Sequence, residues 1–400
     1  MNSSIAWLDT TAEEQRRARE LIEFFTQQES RDELGIGQIR DAFSDMLFPG
    51  ISVIQRRARY YLFVPWCYSR GRARGTSGDT CRAKGETQER LLIEALKAAN
   101  VPDTGLVGKV AGASVKTLAS AIYWPGLQRF NILTHDTDRS HLGLIDAAPD
   151  DATELAERVR GDWDAGLPEP PDGFPREMSG GFDLTTEEAE WLTGRIIVST
   201  DGTALAYLLE RGKRIPKSAS APWDFIPRGK FEALEHARWF SVAMDGAVLL
   251  YNLLIAERYE ADPELTRLDE RVARFRQALE DWHRDDITPH ARDLASWDVQ
   301  RMWVLLHSQG LRSSPNTRLF VDAWISAVRD GRTANAADDE ELRALIRNRE
   351  LRKGSQSRLV NDKLLAMWSG GSGVGRLTYR WGTVGEIVND ILKGRSNAPA

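Results

Sequence analysis

Apolar residues recur three and four positions apart through most of this chain, and no stretch sustains a period of two. That pattern predicts a mainly α fold, because it puts one apolar stripe on each helix and gives no alternating face for a half-buried strand. Four hundred residues are enough for more than one core. The expected class is a multi-helix two-domain architecture, with helix-hairpin-helix or helix-turn-helix-like elements and at most short β-ribbons.

Thr11 with Glu14 reads as a capping box opening a helix to about Gln28. Gln38 to Leu47 reads as a second helix and Val53 to Phe63 as a third, ended or kinked by Pro65. Residues 69–87, Gly-, Ser- and Arg-rich, read as a mobile basic loop, followed by a helix at Gln88–Ala99 and a weak helix-turn-helix pattern over 105–130. The acidic and then Pro-rich run from Asp146 to Pro175 reads as a connection. The expected domains are therefore 1–145, a connection at 146–180, and 181–400.

Thr185 with Glu188 forms a second capping-box pattern, for a helix ending near Thr200. Ala204–Arg211 reads as a short helix closed by Gly212. Phe231 to Asp285 reads as two long helices broken at Asp262-Pro263. Further helices are expected near 297–307, 316–327, 338–353, 357–367 and 383–392. No apolar run has the length and composition to span a bilayer, and no signal-peptide pattern follows Met1, so a soluble cytoplasmic protein with no membrane partner is expected. Two cysteines fit a reduced compartment.

The formal net charge is −6, but nine Lys/Arg stand against three Asp/Glu from Arg56 to Arg90, and eleven against four from Leu342 to Arg395. Phosphate binding follows local clusters rather than the total, because charge is screened within roughly 10 Å at ordinary salt. Both islands read equally well as solvated basic faces.

Several chemistries lack their motifs. The run Gly370-Gly371-Ser372-Gly373-Val374-Gly375 has no following Lys-Ser/Thr and no preceding strand, so it reads as a flexible turn and no nucleotide cofactor is expected. The six histidines show no metal-ligand spacing, so no metal and no other cofactor is expected. There is no hydrolase nucleophile elbow, and neither cysteine has a catalytic context.

What remains is the stretch Glu29–Trp66. Phe48-Pro49-Gly50-Ile51-Ser52 between two expected helices is similar to a helix-hairpin-helix turn, whose backbone N–H groups face a DNA phosphate; Ser52 stands where a second glycine is usual. Gly50, Ser52, Gln55, Arg56, Arg57 and Arg59 are the candidate phosphate contacts, joined by Lys353, Arg358 and Arg380 from the C-terminal island. Tyr60, Tyr123 and Trp124 are candidate stacking surfaces for an unpaired base, with core packing the competing reading. Asp32, Glu33 and Asp45 are candidate catalytic acids, able to activate water or stabilise an oxocarbenium-like sugar; helix capping is the other common role of Asp32 and Glu33.

SRDELGIGQIRDAFSDMLFPGISVIQRRARYYLFVPW, with SAIYWPGLQRF and the late RELRKGSQSRL and RLTYRW, resembles a bacterial family catalogued as a domain of unknown function. The resemblance implies kinship with anti-phage DNA glycosylases that remove a glucosylated hydroxymethylcytosine by base flipping, leaving an abasic site. It supplies no catalytic residue. The expected partner is phage DNA with modified bases. The alternative is a non-enzymatic DNA-binding protein, a regulator or a subunit of a defence complex, and a metal-dependent nuclease stands third.

Overall fold

The structure is a computed structural model that describes residues 32–71, 78–99, 105–135, 142, 162–178 and 180–396. The expected helix at 11–28 and most of the acidic connection lie outside the described residues. Among those described the chain is helical with no strand; one isolated antiparallel bridge pairs Leu133 with Trp163.

The helices are α1 Gly37–Leu47, α2 Tyr60–Gly71, α3 Asp79–Ala98, α4 Ala119–Arg129, α5 Thr186–Ser199, α6 Ala204–Arg211, α7 Glu232–Glu260, α8 Arg271–Trp282, α9 Ala291–Ser296, α10 Val299–Ser308, α11 Pro315–Arg329, α12 Glu340–Leu351, α13 Asp362–Ala366 and α14 Trp381–Arg395. They form two compact units, each assembled from two pieces of chain. Unit 1 is Met1–Phe43 with Glu232–Leu377, and unit 2 is Ser44–Phe231 with Thr378–Ala400. The linear partition 1–145, 146–180 and 181–400 does not follow these units: residues up to Phe43 group with Glu232–Leu377, and 181–231 groups with the chain from Ser44 onward.

Unit 1 is built around α7. Almost every residue of this helix from Leu234 to Ala256 is buried, so it is a core helix rather than an amphipathic one. By length and composition alone it would also cross a bilayer, contrary to the sequence expectation, yet 94% of its most apolar window is buried within the protein. Three of the helices around it start on side-chain caps: Asp298 for α10, Ser314 for α11 and Asp339 for α12 each accept a backbone N–H of the first turn.

Unit 2 is organised by the aromatic helix α2, whose residues from Tyr60 to Tyr68 are all buried. Pro65 lies inside α2 and does not end it. Packing on every side holds that helix despite the missing N–H. The capping box at Thr185 and Glu188 is closed in both directions, at 3.2 and 3.0 Å. Gly212 closes α6 in the left-handed conformation.

Three expectations change. The third helix does not start at Val53; residues 48–59 are turns, and α2 begins at Tyr60. Much of 69–87 is helix rather than loop, since α2 runs to Gly71 and α3 starts at Asp79, while 72–77 lie outside the described residues. The 105–130 segment holds a single α-helix, α4, after turns and a short 3-10 turn, so no helix-turn-helix pair forms there. The described part of the Pro-rich segment packs into unit 2: Trp66 donates its indole N–H to the Pro168 carbonyl at 2.6 Å, and Phe174 is buried.

Candidate functional site

The stretch that looked like a phosphate-reading hairpin is held by its own side chains. Gly50 is left-handed (φ 80°), and a Cβ there would lie 2.7 Å from the Phe130 ring, so both conformation and space demand glycine. Gln55 is buried beneath the turn. Its Oε1 accepts the Ser52 N–H at 3.0 Å and the Tyr61 hydroxyl at 2.9 Å, while its Nε2 donates to the carbonyls of Gly50 and Ile122. The Ile51 N–H goes to the Phe48 carbonyl at 3.3 Å. These amides already have partners, and no helix follows directly to concentrate a dipole behind the turn.

The neighbouring arginines are paired within unit 2. Arg57 binds Asp390 through two bonds of 2.9 and 3.0 Å and lies 4.9 Å from the centre of the Phe182 ring. Burial raises the Asp390 carboxyl, opposed by the Arg57 charge. Arg59 is buried, donating to Glu188 at 2.7 Å and to the Gly181 carbonyl at 2.8 Å. Arg56 reaches Glu386 at 3.4 Å with half its side chain exposed. Arg380, itself left-handed, ties Asp45 and the Ile51 carbonyl together, both at 2.6 Å. Tyr60, Tyr123 and Trp124 are buried. The Tyr123 hydroxyl accepts the Arg56 and Arg57 N–H groups and donates to the Arg57 carbonyl. These rings form the core of unit 2, because a wide aromatic face gains most by leaving water.

In unit 1 Asp32 caps α1, accepting the N–H groups of Gly37 and Leu34, and burial pushes its carboxyl up. Glu33 stands apart from that cap. It lies 3.9 Å from Arg358 and faces Gly373 of the glycine-rich loop, where a Cβ would come within 3.4 Å of its Oε2. Arg358 donates to the Tyr251 hydroxyl at 2.7 Å. Lys353 Nζ sits 2.8 Å from the buried Glu350 and 5.6 Å from the Tyr251 ring centre. The structure thus brings Glu33, Lys353 and Arg358 together around Tyr251. Asp45, Gly50, Ser52, Gln55, Arg56, Arg57, Arg59, Tyr60, Tyr123, Trp124 and Arg380 all belong to unit 2.

Among the described residues the most perturbed carboxylate is one that sequence reasoning missed. Asp245 lies in the middle of α7, its Oδ1 is buried without a hydrogen-bond partner, and its carboxyl is pushed up to about 6. Burial is the main cause; the Arg376 charge opposes it and the Asp286 charge adds to it. Helical spacing puts Arg238, Ser241, Asp245 and Asn252 on one stripe of α7. Asn252 holds the glycine-rich loop by accepting the Ser372 N–H at 2.7 Å and donating to its carbonyl at 2.8 Å. At the end of that loop Arg376 pairs with Asp286. Asp286 sits in a π-turn, His283–Ile287, that follows α8. Such turns recur at functional sites. His290, just beyond, meets Arg238 at 3.4 Å.

The signal for Asp245 was present in FSVAMDGAVLLYNLL: a lone acid in an apolar run must be partnered or perturbed once buried. Among the described residues no group of three or more His, Cys, Asp or Glu could hold a metal ion.

A description of a family of unknown function, DUF6361, matches residues 2–393. The chain belongs to that family. The match takes in both units and every residue of the α7 stripe, so the site belongs to the family's matched extent rather than to an appended segment. No curated protein and no solved structure matches this DUF6361 chain.

Proposed function

We propose that the chain is a DNA glycosylase that hydrolyses the N-glycosidic bond of a modified cytosine in phage DNA, with its chemistry centred on Asp245. The observation that carries the reaction type is a carboxyl pushed up to about 6 beside an arginine–carboxylate pair. A group poised near neutral pH can take and return a proton within one turnover. What supports the substrate class is the resemblance of the Ser30–Trp66, Ser120–Phe130 and C-terminal stretches to the anti-phage glycosylase family.

In this reading water adds to the sugar C1′ as the bond from C1′ to the base nitrogen breaks. Asp245 takes the proton from water, the departing base leaves with the bonding electrons, and Asp245 then returns that proton to the base and regains its carboxylate. Arg376, fixed by Asp286, supplies positive charge toward that leaving group. Glu33, which faces Gly373 of the glycine-rich loop, and its neighbour Arg358 position the substrate.

The test is incubation of purified protein with modified phage DNA and with plain DNA, followed by alkali. Breaks on the modified DNA are expected. Absence of breaks together with retained, salt-sensitive duplex binding would replace the enzyme with a DNA-binding protein.

A further inference from the structure

A second oxygen on α7 shares the unusual position of the Asp245 carboxylate. Ser241 is fully buried, and its hydroxyl makes no hydrogen bond. Buried helical hydroxyls ordinarily donate to the carbonyl four residues back. In unit 2 Thr193, Ser199 and Thr200 do so, each at 2.7 Å. Ser241 leaves that option unused.

Ser241 and Asp245 are one helical turn apart, which puts their Cβ atoms about 5–6 Å from each other on one face. Side chains on a helix lean toward its N-terminus, so the Asp245 carboxylate reaches back over the turn that carries Ser241. Two neighbouring buried oxygens without partners are a costly arrangement, and a bridging solvent molecule is the usual remedy.

Two indoles pack against the backbone of this turn. Trp282 donates its indole N–H to the Val242 carbonyl at 2.9 Å, and Trp324 donates to the Ala243 carbonyl at 2.8 Å. The two indoles stack with centroids 6.4 Å apart. Gly246 lets Trp282 lie directly on α7, since a Cβ there would collide with the ring. A molecule held between Ser241 and Asp245 is therefore shielded from bulk solvent on the indole side. Arg376 and Asp286 are the charges whose fields reach the carboxylate.

We propose that Ser241 Oγ and Asp245 Oδ1 together hold one ordered water molecule, and that this water is the nucleophile of the reaction. The second half rests on the glycosylase reading; the first does not. The water donates one hydrogen to the carboxylate and accepts the serine hydroxyl's hydrogen, which leaves one lone pair to attack an anomeric carbon. As the new C–O bond forms, the proton passes to Asp245 and the C–N electron pair leaves with the base. Ser241 is a positioning residue in this scheme.

A crystal structure of the full chain that resolves ordered solvent tests the first half. Water within hydrogen-bond distance of both oxygens is expected in the wild type and not in Ser241→Ala. Finding either oxygen bonded only to protein groups, or no water between them, overturns the site. Thermal unfolding gives a second readout: Ser241→Ala lowers Tm if the hydroxyl holds water, and leaves it level or raises it if the hydroxyl is an orphan.

Single-turnover cleavage of modified phage DNA tests the nucleophile. Ser241→Ala should slow the chemical step by about tenfold or more while DNA affinity is unchanged. An unchanged rate overturns that role. A wild-type protein that cleaves no DNA overturns the glycosylase reading and the nucleophile together, and the water site is then decided by the crystal structure and the thermal unfolding.

Discussion

The Arg56–Arg59 stretch and the α7 stripe carry opposite kinds of evidence. The first is dense in charge, yet Arg57 and Arg59 are matched to Asp390 and Glu188, and Arg380 to Asp45. The second has few polar residues, and two of them, Ser241 and Asp245, keep a buried oxygen without a partner. Charge that is conspicuous in a sequence is commonly satisfied in the fold. A group left unsatisfied inside a rigid core is the stronger pointer to chemistry, because it lowers stability and needs another reason to persist.

The largest test of this contrast is paired neutralisation. Asp245→Asn should reduce cleavage of modified DNA by about 10²–10⁴-fold, the range for a lost general base. Asp45→Asn, at an exposed ion pair, should leave it within about twofold. Equal losses in a quantitative abasic-site assay would break the distinction.

Next in size is Arg59→Met, which strands the buried Glu188 carboxylate. It should cost unit 2 about 3–5 kcal/mol in urea unfolding, and adding Glu188→Gln should recover much of that. A loss under about 1 kcal/mol would mean that the pair is not the internal tie described above.

A third comparison uses pH. Burial raises the Asp245 carboxyl from its ordinary 3.8 to about 6, so the folded chain keeps this proton to higher pH than the unfolded chain does. Its stability contribution is full below pH 3.8 and falls as pH rises through about 6. Asp245→Asn should therefore stabilise the protein at pH 8 by up to roughly 3 kcal/mol, with no gain at pH 3.5. Thermal melts across that range check the sign. The smallest effect is expected at the exposed Arg56–Glu386 pair, where Arg56→Ala should change stability by less than about 1 kcal/mol.

Legibility tracked the range of the interactions involved. The capping box at Thr185 and the Gly212 stop are local, and the helices there match expectation closely; the break at Asp262-Pro263 was legible too, but the helix after it starts only at Arg271. The irregular path through 48–59 was not legible, because partners distant in sequence fix it: Tyr123 for the amides of Arg56 and Arg57, Ile122 for Gln55, and Asp390 for Arg57 and Ala58. The capping alternative for Asp32 was readable from its place before a Gly turn. The approach of Glu33 to Arg358, and of Arg376 to Asp286 from 90 residues away, was not. The signal of Asp245 is of another kind: a single acid isolated in an apolar run rather than a cluster of charge.

The interleaving of the two units has a consequence for how the protein is made. Unit 1 draws on residues up to Phe43 and again from Glu232, so its early segment waits while the whole of Ser44–Phe231 is translated. At 5–20 residues per second that delay is roughly 10–40 s. Unit 2 stays open longer still, since Asn389 in α14 supplies both bonds to the Ile215 backbone and Asp390 closes on Arg57. A nascent chain stalled before α14 therefore presents the ribosome-bound quality-control machinery with an aromatic core that lacks its last wall. Premature termination just before α14 should be as damaging to unit 2 as termination within Ser44–Phe231.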